Sequence, residues 1–360
     1  MRFSEIARLR LEAQHISGST FSAPEDAVLS LGALQAQDYN AARWAAGLRA
    51  PGTAEAAVER AIDRGSIVRT WPMRGTLHFV APGFVRTLLA LCAPRVVAAS
   101  AGRYRELGLD DKTFGTSREL IARALEGGKS LSRSEVMDLL ERARISTEGQ
   151  RGYHIISHLS QTGLLCMGPA RGAEQGFVLL DEWVPREKTR TREESLAEVA
   201  LVYFRGHGPA TLPDFARWTG LGLMEARAGL LSVGERLEHA SVRGEDYWFA
   251  PIPHESAARP AQSHLLPAFD EFLIGYGDRA AALAQGMEQR VVSRNGIFYP
   301  VLVAGGRVAG TWKRTVKKGL VEIEIAPFAT PGARLKRAAG EAAEAYGRFK
   351  GLPVSLSWKA

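Results

Sequence analysis

Ile67-Val68-Arg69-Thr70-Trp71-Pro72-Met73-Arg74-Gly75-Thr76-Leu77-His78-Phe79-Val80 decides how the first part of this chain folds. Ile67 to Trp71 and Thr76 to Val80 are rich in β-branched and aromatic residues, and Pro72-Met73-Arg74-Gly75 between them is a turn signal. Three helical patterns precede this hairpin. Pro24-Glu25-Asp26, after Ser22 or Ala23, reads as a helix start, with proline in the first turn and acids at the positive end of the dipole. That helix runs to about Leu34. Asn40 is placed to cap a second helix through Leu48, and Thr53 a third from Ala54 to about Arg64, closed by Gly65. Helices followed by a hairpin with a basic tip describe a winged helix. A long helical stretch, Pro82 to about Leu107, follows.

The same order recurs twice without sequence repetition. Ser117 to Glu126 is helical, Ser132 opens a helix with Glu135 at capping-box spacing, and Gly149 to Gln161 forms a third. Leu164 to Met167 and Phe177 to Leu180 then enclose a loop, Gly168 to Gly176, that carries Arg171. The third copy has helices at Glu193 to Phe204, Leu212 to Trp218 and Leu223 to Leu231, then a hairpin, Leu237 to Val242 and Tyr247 to Ala250. From about Leu265 the texture changes. Ile297 to Val303, Arg307 to Trp312 and Leu320 to Ile325 read as a β meander, followed by a helix from Ala333 to about Phe349 and a strand, Val354 to Trp358. The expected fold is α+β: three tandem winged-helix motifs (1–110, 111–190, 191–262) and a C-terminal β-barrel-like unit (263–360).

The bulk numbers are those of a soluble globular protein of 360 residues, 46% hydrophobic and 24% charged. Lys and Arg outnumber Asp and Glu by 46 to 39, a moderate basic excess that suits a polyanionic partner. Two cysteines, Cys92 and Cys166, argue against a disulfide framework or a cysteine-rich zinc site. The N-terminus carries charges throughout, unlike a signal peptide, and no uninterrupted apolar run approaches membrane-spanning length. The chain reads as cytosolic.

Between the first two helical patterns lies Leu34-Gln35-Ala36-Gln37-Asp38. In an extended segment, alternation points Gln35 and Gln37 the same way and Asp38 the opposite way. Carboxamides donate and accept hydrogen bonds without acid or base strength at neutral pH. Such a pair suits hydrolysis of a bond already labilised by positive charge. Asp38 is the nearest carboxylate and a conventional general base, although capping the next helix is an equal role for it. Asp270 and Glu271 are adjacent acids in an apolar surround, second-rank site candidates that either react or pair with an arginine. His78, between Leu77 and Phe79, reads as a hydrogen-bonded core histidine, and Arg69 and Arg74 on the hairpin are candidate DNA contacts. His154 and His158 are spaced i, i+4 but lack a third ligand, so no metal is expected. The densest basic run is Trp312-Lys313-Arg314 with Lys317 and Lys318, in which the cations track a phosphate strand and Trp312 stacks or wedges. No context for a catalytic lysine or a phosphate-binding glycine loop is present.

The Gln-Ala-Gln-Asp run, the hairpin Arg69 to His78, the block Leu266-Pro267-Ala268-Phe269-Asp270-Glu271 and the run Gly310 to Arg314 resemble the AlkZ family of DNA glycosylases, over essentially the whole chain. The resemblance implies tandem winged helices curved around a DNA channel, a C-terminal β-barrel, and removal of alkylated purines, including unhooking of interstrand crosslinks. It implies catalysis by a Gln-x-Gln motif, matched by Gln35 and Gln37; the YcaQ-like branch has Gln-x-Asp instead. The expected partner is duplex DNA bearing alkylated purines, approached by a monomer without cofactor or membrane. Two other readings of winged helices are a non-enzymatic transcription regulator, usually a dimer on palindromic sites, and a protein-binding scaffold.

Overall fold

Proline at helix starts and glycine after element ends punctuate this chain, and its elements follow that punctuation. The computed structural model describes residues 1–171, 174–186, 190–251 and 262–359. The chain begins with α1 (Phe3–Ala13), α2 (Pro24–Leu31), β1 (Ala33–Gln35), α3 (Tyr39–Leu48) and α4 (Glu55–Asp63). The hairpin β2 (Val68–Met73) and β3 (Thr76–Val80) follows. Arg74 and Gly75 close it with φ of 55° and 70°, the left-handed pair that lets a two-residue turn match strand twist. Pro72 lies where the β2–β3 register shifts between Thr70 and Met73, the kind of irregularity that tolerates a residue without an N–H. The long helical stretch after the hairpin is two helices, α5 (Pro82–Ala99) and α6 (Ala101–Glu106). At the break, the Ser100 hydroxyl donates to the Val96 carbonyl at 2.9 Å, a back-bond that bends helices.

Next come α7 (Asp111–Leu125), α8 (Arg133–Arg142), α9 (Arg151–Gln161), β4 (Leu165–Arg171), β5 (Glu174–Leu179) and α10 (Leu180–Trp183). The capping box expected at Ser132 and Glu135 is formed. The strands extend further into the second hairpin than the loop read from sequence, and residues 172 and 173 of that loop lie outside the described residues. The chain continues through α11 (Arg192–His207), α12 (Leu212–Thr219), α13 (Leu223–Val233), β6 (Glu238–Val242) and β7 (Glu245–Phe249). It ends with β8 (Ser263–Leu266), α14 (Glu271–Ile274), α15 (Glu288–Val291), β9 (Val301–Ala304), β10 (Arg307–Lys317), β11 (Leu320–Pro327), α16 (Ala333–Lys350) and β12 (Val354–Trp358).

Two features of the sheets differ from expectation. The first two hairpins share one five-stranded sheet, in the order β1-β3-β2-β4-β5, joined where Arg69 of β2 pairs with Met167 of β4. The C-terminal unit is not a barrel. It is an open sheet in the order β12-β11-β10-β9-β8, whose edge strands do not meet. The reason is the connection: α16 returns the chain so that β12 joins β11 in parallel, which requires a crossover rather than a hairpin. Tyr346 and Phe349 of α16 pack with Trp312, Val321, Ile323 and Ile325, covering the face over which the sheet would otherwise curl.

One helix among the described residues, Pro82–Ala99, has the length and mean hydropathy (1.3) of a membrane span. Its Phe84, Val85, Leu88 and Leu89 belong instead to a core shared with Leu196, Val199, Tyr203 and Phe204 of α11.

A buried ion pair ties the N-terminal helices to the C-terminal block. Arg49 is fully buried and binds both carboxylate oxygens of Asp270 at 2.8 and 2.9 Å. Its remaining N–H groups reach the carbonyls of Gln14 and Ala45 and the Gln14 side chain, each at 3.0 Å. All five guanidinium donors are therefore satisfied. Removing one partner leaves the other charge buried alone, so Arg49→Met is expected to lower unfolding free energy by about 3–5 kcal/mol. Urea denaturation of this variant measures it; a loss below about 1 kcal/mol would contradict the role given to the pair.

Candidate active site

The Gln-Ala-Gln segment begins as an edge strand. In β1, Gln35 pairs with His78 of β3, and its backbone N–H donates to Glu271 Oε1 at 3.1 Å. Ala36 still donates to the Leu77 carbonyl at 2.7 Å, after which the chain leaves the sheet. Gln37 is therefore not held to the pleat by backbone pairing. Its side-chain Oε1 accepts from the Leu77 N–H at 3.2 Å, which leaves its NH2 group as the free end. The two glutamines occupy different surroundings. Gln37 is exposed and lines a cleft of about 700 Å³, whereas Gln35 is half-buried and its Oε1 is shielded from solvent without a hydrogen-bond partner.

Strands of the shared sheet, α3 and α9 form that cleft. Tyr39, Asn40 and Arg43 come from the start of α3, Arg69 and Trp71 from β2, and Tyr153 from α9. Arg69 crosses the motif: its Nε and Nη2 donate to the Ala36 carbonyl at 3.0 and 2.7 Å, and its Nη1 to Gln175 Oε1 at 3.0 Å. Burial lowers this guanidinium to about 10, against the pull of Tyr39 and Asp38. Arg69 thus ties the Gln-x-Gln segment to the second hairpin instead of projecting toward a phosphate. Arg43 is similarly engaged, with Glu59, Glu55 and Asn40.

Each neighbouring carboxylate is committed. Asp38 caps α3 by accepting from the Ala41 N–H at 3.0 Å. Asp270 holds Arg49 and caps α14 through the Phe272 N–H. Glu271 is fully buried, and besides Gln35 it accepts from Trp218 Nε1 at 3.0 Å and lies 3.5 Å from His207 Nε2. Burial pushes its carboxyl up, but His207, Arg74 and His78 outweigh that and bring it down to about 2. Arg74, expected at an open hairpin tip, is turned inward. Its Nη2 lies 3.0 Å from His78 Nε2, and burial lowers its guanidinium despite the opposing pull of Glu271. His78 is a core histidine, as its flanking residues imply; its Nδ1 lies 2.9 Å from the Thr76 carbonyl.

The basic run divides along β10 by alternation. Trp312 faces inward, 3% exposed, and donates to the Leu266 carbonyl at 2.8 Å. It is therefore a core residue and cannot wedge into DNA without unfolding the sheet. Lys313 and Lys317 point outward, paired with Glu324 and Glu322 at 2.9 and 2.7 Å. Lys318 is exposed, and Arg314 lies over the Tyr346 ring at 5.7 Å. Burial raises the Tyr346 hydroxyl to about 12, with Arg314 opposing most and Arg43 and Asp38 also acting on it. His158 stacks on Phe114 at 3.8 Å, and no group of three metal-ligating side chains occurs among the described residues.

Sequence reasoning missed Tyr153 and Gln175, because only the shared sheet brings the second repeat to the motif. It also missed Trp218 and His207, which meet Glu271 from about 60 residues upstream. Tyr39 and Asn40 directly follow the motif and were within reach of it.

A family model described as "DNA glycosylase AlkZ-like" matches residues 28–349 of this chain. The chain is 27% identical over 365 residues to the "Interstrand DNA cross-link repair glycosylase" of Streptomyces sahachiroi, covering 96% of this chain and 97% of that protein. The solved structure described as Streptomyces sahachiroi DNA glycosylase AlkZ matches with a TM-score of 0.83 at 25% identity, covering 99% of each chain.

Burial of neutral imidazole beside the motif has a measurable consequence. Burial, reinforced by Arg74, lowers His78 from 6.5 to about 3. Between those values the unfolded chain binds a proton that the folded chain does not, so stability falls with acidification, by about 1.4 kcal/mol per pH unit from this group. Glu271, held low when folded, adds stability above its unfolded pKa that is lost as pH falls through about 2. The expected result is that His78→Gln flattens the stability profile between pH 6 and 4. Urea midpoints across that window check it, and an unchanged slope would count against a neutral buried His78.

Proposed function

The chain belongs to the AlkZ-like family of DNA glycosylases, and from that premise we propose that it hydrolyses the N-glycosidic bond of N7-alkylated purines in duplex DNA. The observation that carries this reading is the state of the groups around the motif. Gln37 presents an amide to the cleft while Asp38, Asp270 and Glu271 are all engaged elsewhere. Asp270 and Glu271 are buried in structural bonds and Asp38 caps α3, so none of the three carboxylates nearest the glutamines in the motif and the C-terminal block is presented as a general base. A substrate that carries its own positive charge does not need one.

The chemistry balances on that basis. An N7-alkylguanine is cationic, so the bond from C1′ to N9 breaks with its electron pair returning to the purine, which departs neutral. Water adds to C1′ and releases one proton to solvent. Gln37 Nε2 orients that water or the nucleotide from the cleft, and Gln35, whose unpartnered Oε1 is shielded in the free protein, joins it once DNA is bound; orientation is what remains for the protein to supply. Backbone ties from Glu271 to Gln35 and from Arg69 to Ala36 hold the segment in place. The reaction uses no cofactor in this reading.

In this reading DNA reaches both the motif and the β10–β11 hairpin, with Lys313, Arg314, Lys317 and Lys318 along the backbone. Positive charge on a strand hairpin suits phosphate contact, which positions the duplex and does not read its sequence. In this reading the three helix-and-hairpin repeats act as winged helices and the protein binds as a monomer. The relative from Streptomyces sahachiroi is named for interstrand cross-link repair, and we extend that substrate to this chain.

Incubation with singly alkylated and crosslinked duplexes, followed by detection of abasic sites, tests the reading. Gln35→Ala and Gln37→Ala are each expected to slow base release by about 10²-fold, the scale of losing one oriented polar group. Full activity of both variants on every substrate accepted by the parent would remove the glutamines from the mechanism.

A further inference from the structure

The two sides of the cleft differ in chemistry, and one of them is unsuited to DNA backbone. Glu59, Asp63 and Glu174 all line it. Glu59 is neutralised by Arg43, while Asp63 uses one oxygen to accept from the Ala170 N–H at 3.2 Å and Glu174 is exposed. Arg43 and Arg69 are held by protein partners, which leaves Arg133, above the Tyr153 ring at 5.9 Å, as the remaining cation there among the described residues. Phosphates entering this side would meet carboxylates in a chain whose overall charge is +7. The cleft therefore does not continue the phosphate track.

Its walls fit a different guest. Trp71 and Tyr153 meet edge to face at 6.4 Å, and Phe177, Ile156 and Met167 complete an apolar surface beside them. Aromatic and sulfur surfaces with carboxylates nearby attract flat, positively charged rings. A volume of about 700 Å³ falls within the range of drug-sized sites, and is ample for more than a purine alone. The surface exists only because β2 and β4 share a sheet, which brings α9 of the second repeat beside Gln37.

We propose that the side of the cleft built by Trp71, Tyr153, Met167 and the Asp63–Ala170 contact is a subsite for the alkylating group. Its ligand class is a planar aromatic cation: an N7-alkylpurine together with a bulky aromatic substituent. This rests on the reading that the chain excises N7-alkylpurines. The subsite sets which adducts are preferred, while the glutamines act on the bond. The cation is carried by the adduct while it is joined to its sugar; the released base departs neutral, so the subsite favours the substrate over the product.

Ala170 lines the cleft with an exposed methyl group, and a larger side chain there fills space while keeping the backbone bond to Asp63. The experiment compares kcat/KM for duplexes bearing N7-methylguanine and an N7-adduct with a polycyclic aromatic substituent. Ala170→Trp is expected to lower the preference for the bulky adduct at least about tenfold. The double variant Asp63→Asn/Glu174→Gln should lower binding of free 7-benzylguanosine, a cation, more than binding of neutral 9-benzylguanine, measured calorimetrically without DNA. If the parent excises both adducts and neither variant moves the preference, the subsite is overturned while the reaction stands. If the parent excises neither, calorimetry decides. Cation binding that falls in both variants keeps the subsite and overturns the reaction. No binding, or binding indifferent to charge and to Ala170→Trp, overturns the subsite.

Discussion

The carboxylate of Glu271 is the constraint on which the rest of this arrangement depends. A fully buried charge must be matched by donors, and an unmatched one costs several kcal/mol. Here the donors are the Gln35 N–H and Trp218 Nε1–H, with His207 and Arg74 contributing charge or polarity nearby. They come from β1, α12, α11 and the β2–β3 turn, four places far apart in the chain. Satisfying one side chain therefore fixes the motif strand against the third repeat and the C-terminal block together. Its neighbour Asp270 repeats the device with Arg49 and Gln14. Two adjacent acids act as the joint between parts that apolar packing alone would leave freer to slide.

The same joint explains why nearby carboxylates are poor candidates for chemistry. Glu271 is held low and faces donors on the inner side of β1, and Asp38 is held by a helix end. What reaches the cleft from this stretch is the Gln37 amide, whose acceptor is used by the Leu77 N–H. The group this stretch offers to the cleft is thus a fixed dipole. That is consistent with a neutral His78 buried alongside, since a second protonatable group near the motif is kept uncharged by its surroundings.

Legibility in the sequence follows the range of the interactions. The Ser132–Glu135 capping box, the proline at the start of α2 and the Arg74-Gly75 turn are settled within a few residues, and all were readable. The shared sheet was not, because Arg69 and Met167 are drawn together by packing between repeats and no local pattern marks it. The barrel expectation failed for a related reason: strand-like runs do not disclose whether the outer strands meet, and α16 decided that they do not. Trp312 was misassigned because its charged neighbours outweighed a simple fact, that period-two alternation places Trp312 and Lys313 on opposite faces. Arg74 was misassigned because a hairpin tip was taken to be solvated, whereas Gly220, just after α12, lies against it. The Gln-x-Gln segment itself was visible at once, but its second wall was not.

The strand bearing this motif is also among the first parts of the chain to be synthesised and the last to be completed. β1 ends at residue 35, yet the acceptor for its final N–H is at residue 271. During synthesis, the first hairpin can pair with β1 long before that carboxylate exists. The second hairpin then widens the sheet, and only the C-terminal block closes its inner side. Contacts of such sequence separation carry a high loop-closure cost and slow folding. A chain halted before residue 271 would hold a strand, a cleft wall and two glutamines, but not the anchor that orders them.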